Sequence, residues 1–356
     1  MPSRYLRPID YSRMLAGWLV VLLLPDRLPA AVLLIAVVAV IMFCAFGVVT
    51  QAEKLAGILG DPLGSLVLTL SIVIIEVILI VAVMLGPGQA PTIARDSVMA
   101  VSMIILALVT GLSLLVGGIR HGGMDHNGTG TRTYLSLIAV MATTTFALPH
   151  LLGTGGAYGS LQAVLVAVST LALYTFFLRR QLGAQAGDFR EPDTGGDRHE
   201  EHAVSGHLEV ALRISVLIIT VLPIVVLSHR MAAAMDSVLG DLGAPPALAG
   251  MVIAVIVFLP ETITALRASW DGRTQRMSNL VHGALVSTVG LTIPTVLLIG
   301  VLGDRAVVLG ETPANLVILG LAVVVSMAVF SGRRVNAVHG AALLMIFGIY
   351  MMALLS

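Results

Sequence analysis

The stretch LGSLVLTLSIVIIEVILIVAVMLG, residues 63–86, is long enough to cross a bilayer as a single helix and carries one ionisable group, Glu76, near its centre. The stretch ALAGMVIAVIVFLPETITALRASW, residues 247–270, repeats the arrangement in the other half of the chain, with Glu261 directly after Pro260. Burying a carboxylate in hydrocarbon costs at least about 2.5–3.5 kcal/mol, so such acids face a polar cavity and handle ions or protons. These two segments set both the fold class and the candidate chemistry.

Working outward, 57% of the 356 residues are hydrophobic and 11% are charged, with a mean hydropathy of +0.99. Soluble domains carry roughly 25% charge, so the chain is a polytopic all-α membrane protein. The alternation that a membrane barrel requires is absent. Zero net charge gives no electrostatic support for binding nucleic acid, and the single Cys44 excludes an intramolecular disulfide.

Apolar runs bounded by charge, Gly or Pro fall at about 14–24, 30–50, 62–86, 96–119, 133–151, 157–178, 210–229, 245–266, 278–302, 313–330 and 335–355. About eleven transmembrane helices are therefore expected. The first run, preceded by Arg4, Arg7 and Arg13 and followed by Pro25 and small residues, also fits a secretory signal peptide; nothing below depends on it. With the N-terminus placed in the cytoplasm, 16 of the 20 Lys and Arg residues fall on that side, a strong positive-inside bias. The polar segment 181–207 then faces the cytoplasm as a solvated loop.

Setting the first run aside leaves five spans on each side of that loop. An odd number inverts the second set relative to the first, so the expected organisation is an N-terminal segment (1–29), a five-helix repeat (30–180), the linker (181–207) and a second, inverted five-helix repeat (208–356). Glu76 and Glu261 occupy the second span of each set, which predicts one shared centre near the midplane.

Ser65 and Thr69 lie 11 and 7 residues before Glu76, within about 40° of it on a helical wheel. The matching positions before Glu261 are Gly250 and Ala254, small enough for close helix packing, and Pro260 frees backbone carbonyl oxygen of the kind hard cations bind. NLVHGALVSTVGLTIP (279–294) adds Ser287, Thr288 and Thr292, and Ser102 is a weaker counterpart in the fourth span. Membrane hydroxyls also bond their own helix backbone, which is the competing reading for each. His282 and His339 are candidates for proton relay, against capping or packing. His199, Glu200, Glu201 and His202 in the linker suit a regulatory metal or pH-sensing site, against a plain solvated linker.

The segments 52–77, 247–270 and 279–294, together with RVNAVHG (334–340), resemble the calcium/cation antiporter superfamily, and within it the cation/proton exchangers of the ChaA-type bacterial branch. The matching residues are Glu53, Leu55, Ala56, Gly60, Gly64 and Glu76 in the first segment and the Pro-Glu pair with its following Thr and Ala-Leu in the second. The resemblance implies a secondary antiporter of the bacterial inner membrane, with no cofactor. Glu76 and Glu261 would bind the cation and exchange protons, with inorganic cations, protons and the lipid bilayer as partners. Ca2+/H+ exchange is the first expectation, with Na+ and K+ as further ions and a monovalent-selective Na+(K+)/H+ antiporter as the alternative. The chain departs from the family at Ile72, Val73 and Ile74, where relatives have Gly-Asn-Ala, at Ile105 in place of an asparagine, and at His339 in place of an acid. A channel and a non-transporting membrane subunit are the more distant alternatives. An enzyme is not expected: no HExxH, no GxxxxGK[ST] loop and no hydrolytic triad pattern occurs.

Overall fold

The structure is a computed structural model that describes residues 6–25, 28–59, 63–85, 91–191, 207–245 and 247–355. These residues form eleven helices: α1 (Pro8–Leu23), α2 (Ala30–Leu59), α3 (Leu63–Met84), α4 (Ile93–His121), α5 (Gly128–Leu152), α6 (Ser160–Leu182), α7 (His207–Asp241), α8 (Ala247–Trp270), α9 (Thr274–Leu302), α10 (Pro313–Val329) and α11 (Ala337–Leu355). Eight of them are long and apolar enough to cross a membrane; α1, α10 and the described apolar part of α3, Val73–Ala82, are shorter. The chain is an all-α polytopic membrane protein.

The described residues divide into two compact units, Met1–Ala90 with Arg198–Ala249, and Pro91–Asp197 with Gly250–Ser356. Each unit draws helices from both halves of the sequence, so compactness cuts across chain order.

In the first unit α2 packs along α7, α3 lies against both, and α1 bridges the α2–α7 pair. The helix α1 begins before the apolar run because Pro8 suits the first helical position and the Asp10 carboxylate accepts the Arg7 N–H at 2.9 Å. Gly17 permits the close crossing: a Cβ there would sit 2.7 Å from Pro223 Cγ and 3.0 Å from Cys44 Sγ. Pro223 gives no N–H to the carbonyl four residues earlier, that of Ile219, and the Trp18 indole N–H supplies the missing donor at 3.3 Å. At the other end Arg213 donates to Gln51 at 3.1 Å and pairs with Glu209, Arg13 donates to Thr50 at 3.1 Å, and Lys54 lies 3.6 Å from Asp10.

In the second unit α9 packs against α5 and α6, and α11 against α4 and α10. Gly340 sits in the α4–α11 crossing, where a Cβ would meet Leu115 N at 2.4 Å and the Gly111 carbonyl O at 2.5 Å. Two helices contain a π-helical stretch: Ile104–Val109 in α4, where the Thr110 hydroxyl donates to the Ile105 carbonyl at 2.7 Å, and Thr143–Ala147 in α5, just before Pro149. The irregular α5 backbone finds outside donors: Tyr158 O–H to Thr144 O at 2.6 Å and Glu311 N–H to Phe146 O at 3.0 Å. Asn127, within the glycosylation-like Asn-Gly-Thr, caps α5 by accepting the Thr129 N–H at 3.1 Å. Strand β1 (Met124–Asp125) pairs antiparallel with β2 (Arg334–Val335), with Asp125 opposite Arg334.

The start of the polar segment, expected as a solvated loop, is docked. Residues Ala186–Phe189 form a 3-10 turn, Phe189 packs edge-on against Tyr134 and Phe177, and the Glu191 carboxylate accepts the Gln275 and Arg276 N–H groups at 3.2 and 3.0 Å. An anion that satisfies two orphan donors at the start of α9 is the physical reason. The remainder of the segment, including His199, Glu200, Glu201 and His202, lies outside the described residues.

Candidate functional site

In the first unit Glu76 is fully buried in α3. Val73, Glu76 and Ile80 recur at helical spacing and are all buried, whereas Ile74 on the other side is exposed, so the acid belongs to the inward stripe. Ser71 donates its hydroxyl to the Val67 carbonyl at 2.7 Å. The side chains of Ser65 and Thr69 lie outside the described residues.

In the second unit Glu261 is 5% exposed on α8, within a buried stripe of Ala254, Val257, Phe258, Glu261, Ala265 and Ala268, while Val255 opposite is exposed. Pro260 deprives the Ile256 carbonyl of its helical donor. Thr264 and Thr262 donate to the Pro260 and Phe258 carbonyls at 3.1 and 2.7 Å, so both hydroxyls serve their own helix. Gly250 makes the close approach its size predicts: a Cβ there would lie 2.6 Å from Asp96 C and from Ser97 N.

On α9, Ser287 and Thr288 are buried, and Ser287 accepts the Tyr174 O–H at 3.0 Å. Gly290 allows Tyr174 in, since a Cβ would stand 2.8 Å from its ring. Thr292 is buried with no hydrogen-bond partner for its oxygen among the described residues, one half-turn before Pro294. Ser102 on α4 gives its hydroxyl to Val98 O at 2.7 Å, the backbone-bonding role. His282 is fully buried, with Nδ1 3.1 Å from the Ser278 carbonyl and 3.0 Å from its hydroxyl. His339 lies at the start of α11, where its Nδ1 accepts the Asn336 N–H at 3.3 Å and Asn336 accepts the His339 N–H at 3.2 Å, a reciprocal cap.

Sequence reasoning passed over three polar features of this unit. Ser97 is fully buried beside Gly250, and its hydroxyl has no hydrogen-bond partner among the described residues. The charged trio Arg95, Asp96 and Glu311 is largely buried: Arg95 holds Asp96 at 2.8 Å, lies 3.6 Å from Glu311 and donates to Gly310 O at 3.1 Å. Thr92 completes Asp96, and Asn315 completes Glu311. His126 is buried in the loop after α4. In the sequence, Arg95-Asp96-Ser97 at the mouth of a span was the available signal; the partner Glu311, more than 200 residues away, was not readable from it.

A family model described as "Sodium/calcium exchanger protein" matches the chain twice, over residues 29–183 and 212–356. The chain is 32% identical over 317 residues to the sodium-potassium/proton antiporter ChaA of Escherichia coli (strain K12), covering 88% of this chain and 86% of that protein. It is 30% identical over 332 residues to the putative ionic transporter y4hA of Sinorhizobium fredii (strain NBRC 101917 / NGR234), covering 92% and 89%. Its fold is similar to that of native YfkE, with a TM-score of 0.71 at 16% identity over 98% of both chains, and to that of the H+/Ca2+ exchanger CAX, with a TM-score of 0.73 at 13% identity over 96% of this chain and 87% of the other. With a buried acid in each of the two matched segments and a fold shared with solved exchangers, the chain belongs to the sodium/calcium exchanger protein family.

Proposed function

We propose that this protein is a secondary antiporter that exchanges inorganic cations for protons, using Glu76 and Glu261 as its alternately loaded carboxylates. The observation that carries the reading is that each matched half places one carboxylate, 0% and 5% exposed, on the buried stripe of an apolar helix. Two carboxylates can be neutralised by two protons, by one divalent cation, or by a monovalent cation and a proton. A neutral loaded centre can be carried between the two sides, whereas an empty, doubly charged one meets the full desolvation penalty, and this difference couples the two fluxes without ATP. Alternating exposure follows from rearrangement of the two inverted repeats, 30–180 and 208–356, about the acids. Ser287, Thr288, Ser102 and Thr69 are auxiliary oxygen donors in this scheme. Ser287 keeps its own hydroxyl proton and a lone pair for further use while it accepts from Tyr174. His282 and His339 are its proton-handling candidates. The protein resides in the bacterial inner membrane with the N-terminus and the linker in the cytoplasm.

Calcium is the first candidate cargo, supported by the fold shared with a protein titled an H+/Ca2+ exchanger. A monovalent-selective reading is supported by the identity to a relative named a sodium-potassium/proton antiporter and by the apolar Ile72-Val73-Ile74 before Glu76, which offers no side-chain oxygen. Purified protein in vesicles with an imposed pH gradient, offered Ca2+, Na+ and K+ side by side, decides between them. Glu76→Gln and Glu261→Gln should each reduce proton-driven flux to background while the protein still inserts and purifies as wild type. Retained flux in either variant would remove that carboxylate from the mechanism.

A further inference from the structure

At the end of the second unit where β1 and β2 pair, the loops α4–α5 and α10–α11 border an open cleft of about 850 Å³ lined by His126, Asp125, Arg132, Arg333 and Arg334 among others. His126 is 7% exposed, and its Nε2 lies 3.2 Å from the Phe330 carbonyl oxygen. A carbonyl only accepts, so Nε2 carries the hydrogen and Nδ1 presents a bare lone pair. That nitrogen is buried and has no hydrogen-bond partner among the described residues.

His282 shows the same pattern with the two nitrogens exchanged. Its Nδ1 lies 3.1 Å from the Ser278 carbonyl and 3.0 Å from the Ser278 hydroxyl; with the hydrogen on Nδ1, donated to the carbonyl, the buried Nε2 is a bare acceptor with no partner among the described residues. The Phe330 ring stands edge-on to both imidazoles, with centroids 5.3 Å from His126 and 5.2 Å from His282. An orphaned buried acceptor destabilises the fold relative to one that is paired. Packing alone is served more cheaply by a phenyl or leucine side chain; imidazole adds the ability to take up a proton near neutral pH.

We propose that His126 and His282 form a proton path from this cleft into the transporter, a deepening that rests on the exchange reading above. A proton taken up from the cleft binds His126 at Nδ1 while Nε2–H stays on the Phe330 carbonyl. The imidazolium releases that same proton from Nδ1, through an intervening water, to Nε2 of His282, and His126 returns to its starting tautomer. The reverse sequence delivers a proton to the cleft, and no electrons move.

The groups facing His126 are Asp125, which favours the protonated form, and Arg132, which opposes it; Arg334 is held on Asp125 at 3.0 Å, and Arg333 lines the same cleft. The groups facing His282 are His126 and Tyr134, whose ring stacks on it with a centroid distance of 6.5 Å and whose oxygen is occupied by Gln181. Burial, the largest influence, holds His126 below the ordinary histidine range, so it rests neutral and open to a proton.

The experiment compares two fluxes in vesicles: cation uptake driven by a pH gradient, and self-exchange of labelled Ca2+ or Na+ with the same ion, which needs no proton transfer. His126→Gln keeps an Nε–H for the Phe330 carbonyl but removes the basic nitrogen. It should slow proton-driven uptake by about tenfold or more and leave self-exchange at the wild-type rate. If both fluxes are unchanged, or if both fall in parallel as packing damage would cause, the path is overturned. A wild-type protein that shows self-exchange but no proton-driven uptake would instead remove the exchange reading, and this proposal with it.

Discussion

Replacing Gly340 by alanine should destabilise the protein, whereas the same substitution at Gly348, two turns along the same helix, should not. At Gly340 the new Cβ would lie 2.4 Å from Leu115 N, 2.5 Å from Gly111 O and 3.0 Å from Leu114 C, all backbone atoms of α4. Ordinary contact begins near 3.4 Å, so α4 and α11 must part by about 1 Å along that contact line. Overpacking of this kind costs about 1–3 kcal/mol, set against about 0.5–1 kcal/mol gained when alanine replaces glycine in a helix interior. The net expectation is a loss of up to about 2.5 kcal/mol. At Gly348 nothing among the described residues lies within 4 Å of the added carbon, so only the gain of about 0.5–1 kcal/mol applies. Unfolding midpoints of the two variants, followed by loss of helical signal during SDS titration of detergent-solubilised protein, should move in opposite directions from wild type. Equal shifts, or a Gly340→Ala variant as stable as wild type, would refute the α4–α11 crossing described above.

Two further outcomes test other parts of the structure. Glu191→Ala removes the acceptor from two backbone N–H groups at the start of α9, a change worth about 1 kcal/mol; trypsin should then cut after Arg190 several-fold faster, and an unchanged rate would mean that the segment is not docked. His126 has its proton affinity lowered first by burial, so the folded protein binds fewer protons than the unfolded chain as pH falls through and below the ordinary value of 6.5. Its contribution to stability is therefore complete above that value and lost toward acid. The drop in unfolding midpoint between about pH 8 and about pH 5 should be smaller in His126→Gln than in wild type; an equal or larger drop would contradict the burial of the neutral ring.

Much of the architecture was readable before any coordinates. Helix number followed from runs of apolar residues, because a bilayer fixes the length of helix that must be apolar. The inward direction of Glu76 and Glu261 followed from the cost of a carboxylate in lipid, and Gly250 announced a close crossing by its size alone. The boundaries of α7 were underestimated, since Met and Ala sustain the helix from Arg230 to Asp241 and the Glu209–Arg213 pair supports its first turns. The docked stretch before Glu191 was missed because polar composition says that a segment can be solvated, not that a helix end nearby needs an anion.

Local periodicity, composition and the energetics of burial thus determined from the sequence alone that this is a helical membrane protein with one buried acid in each half. Which groups meet was decided only in three dimensions. Trp18 finds the Ile219 carbonyl that Pro223 frees, Tyr174 finds Ser287, Arg95 finds Glu311, and Phe330 stands between His126 and His282. Each pair is separated by more than 40 positions in the chain. Hydrogen bonds and ring contacts act over a few ångströms of space, and distance along the sequence does not encode that space until the helices have packed.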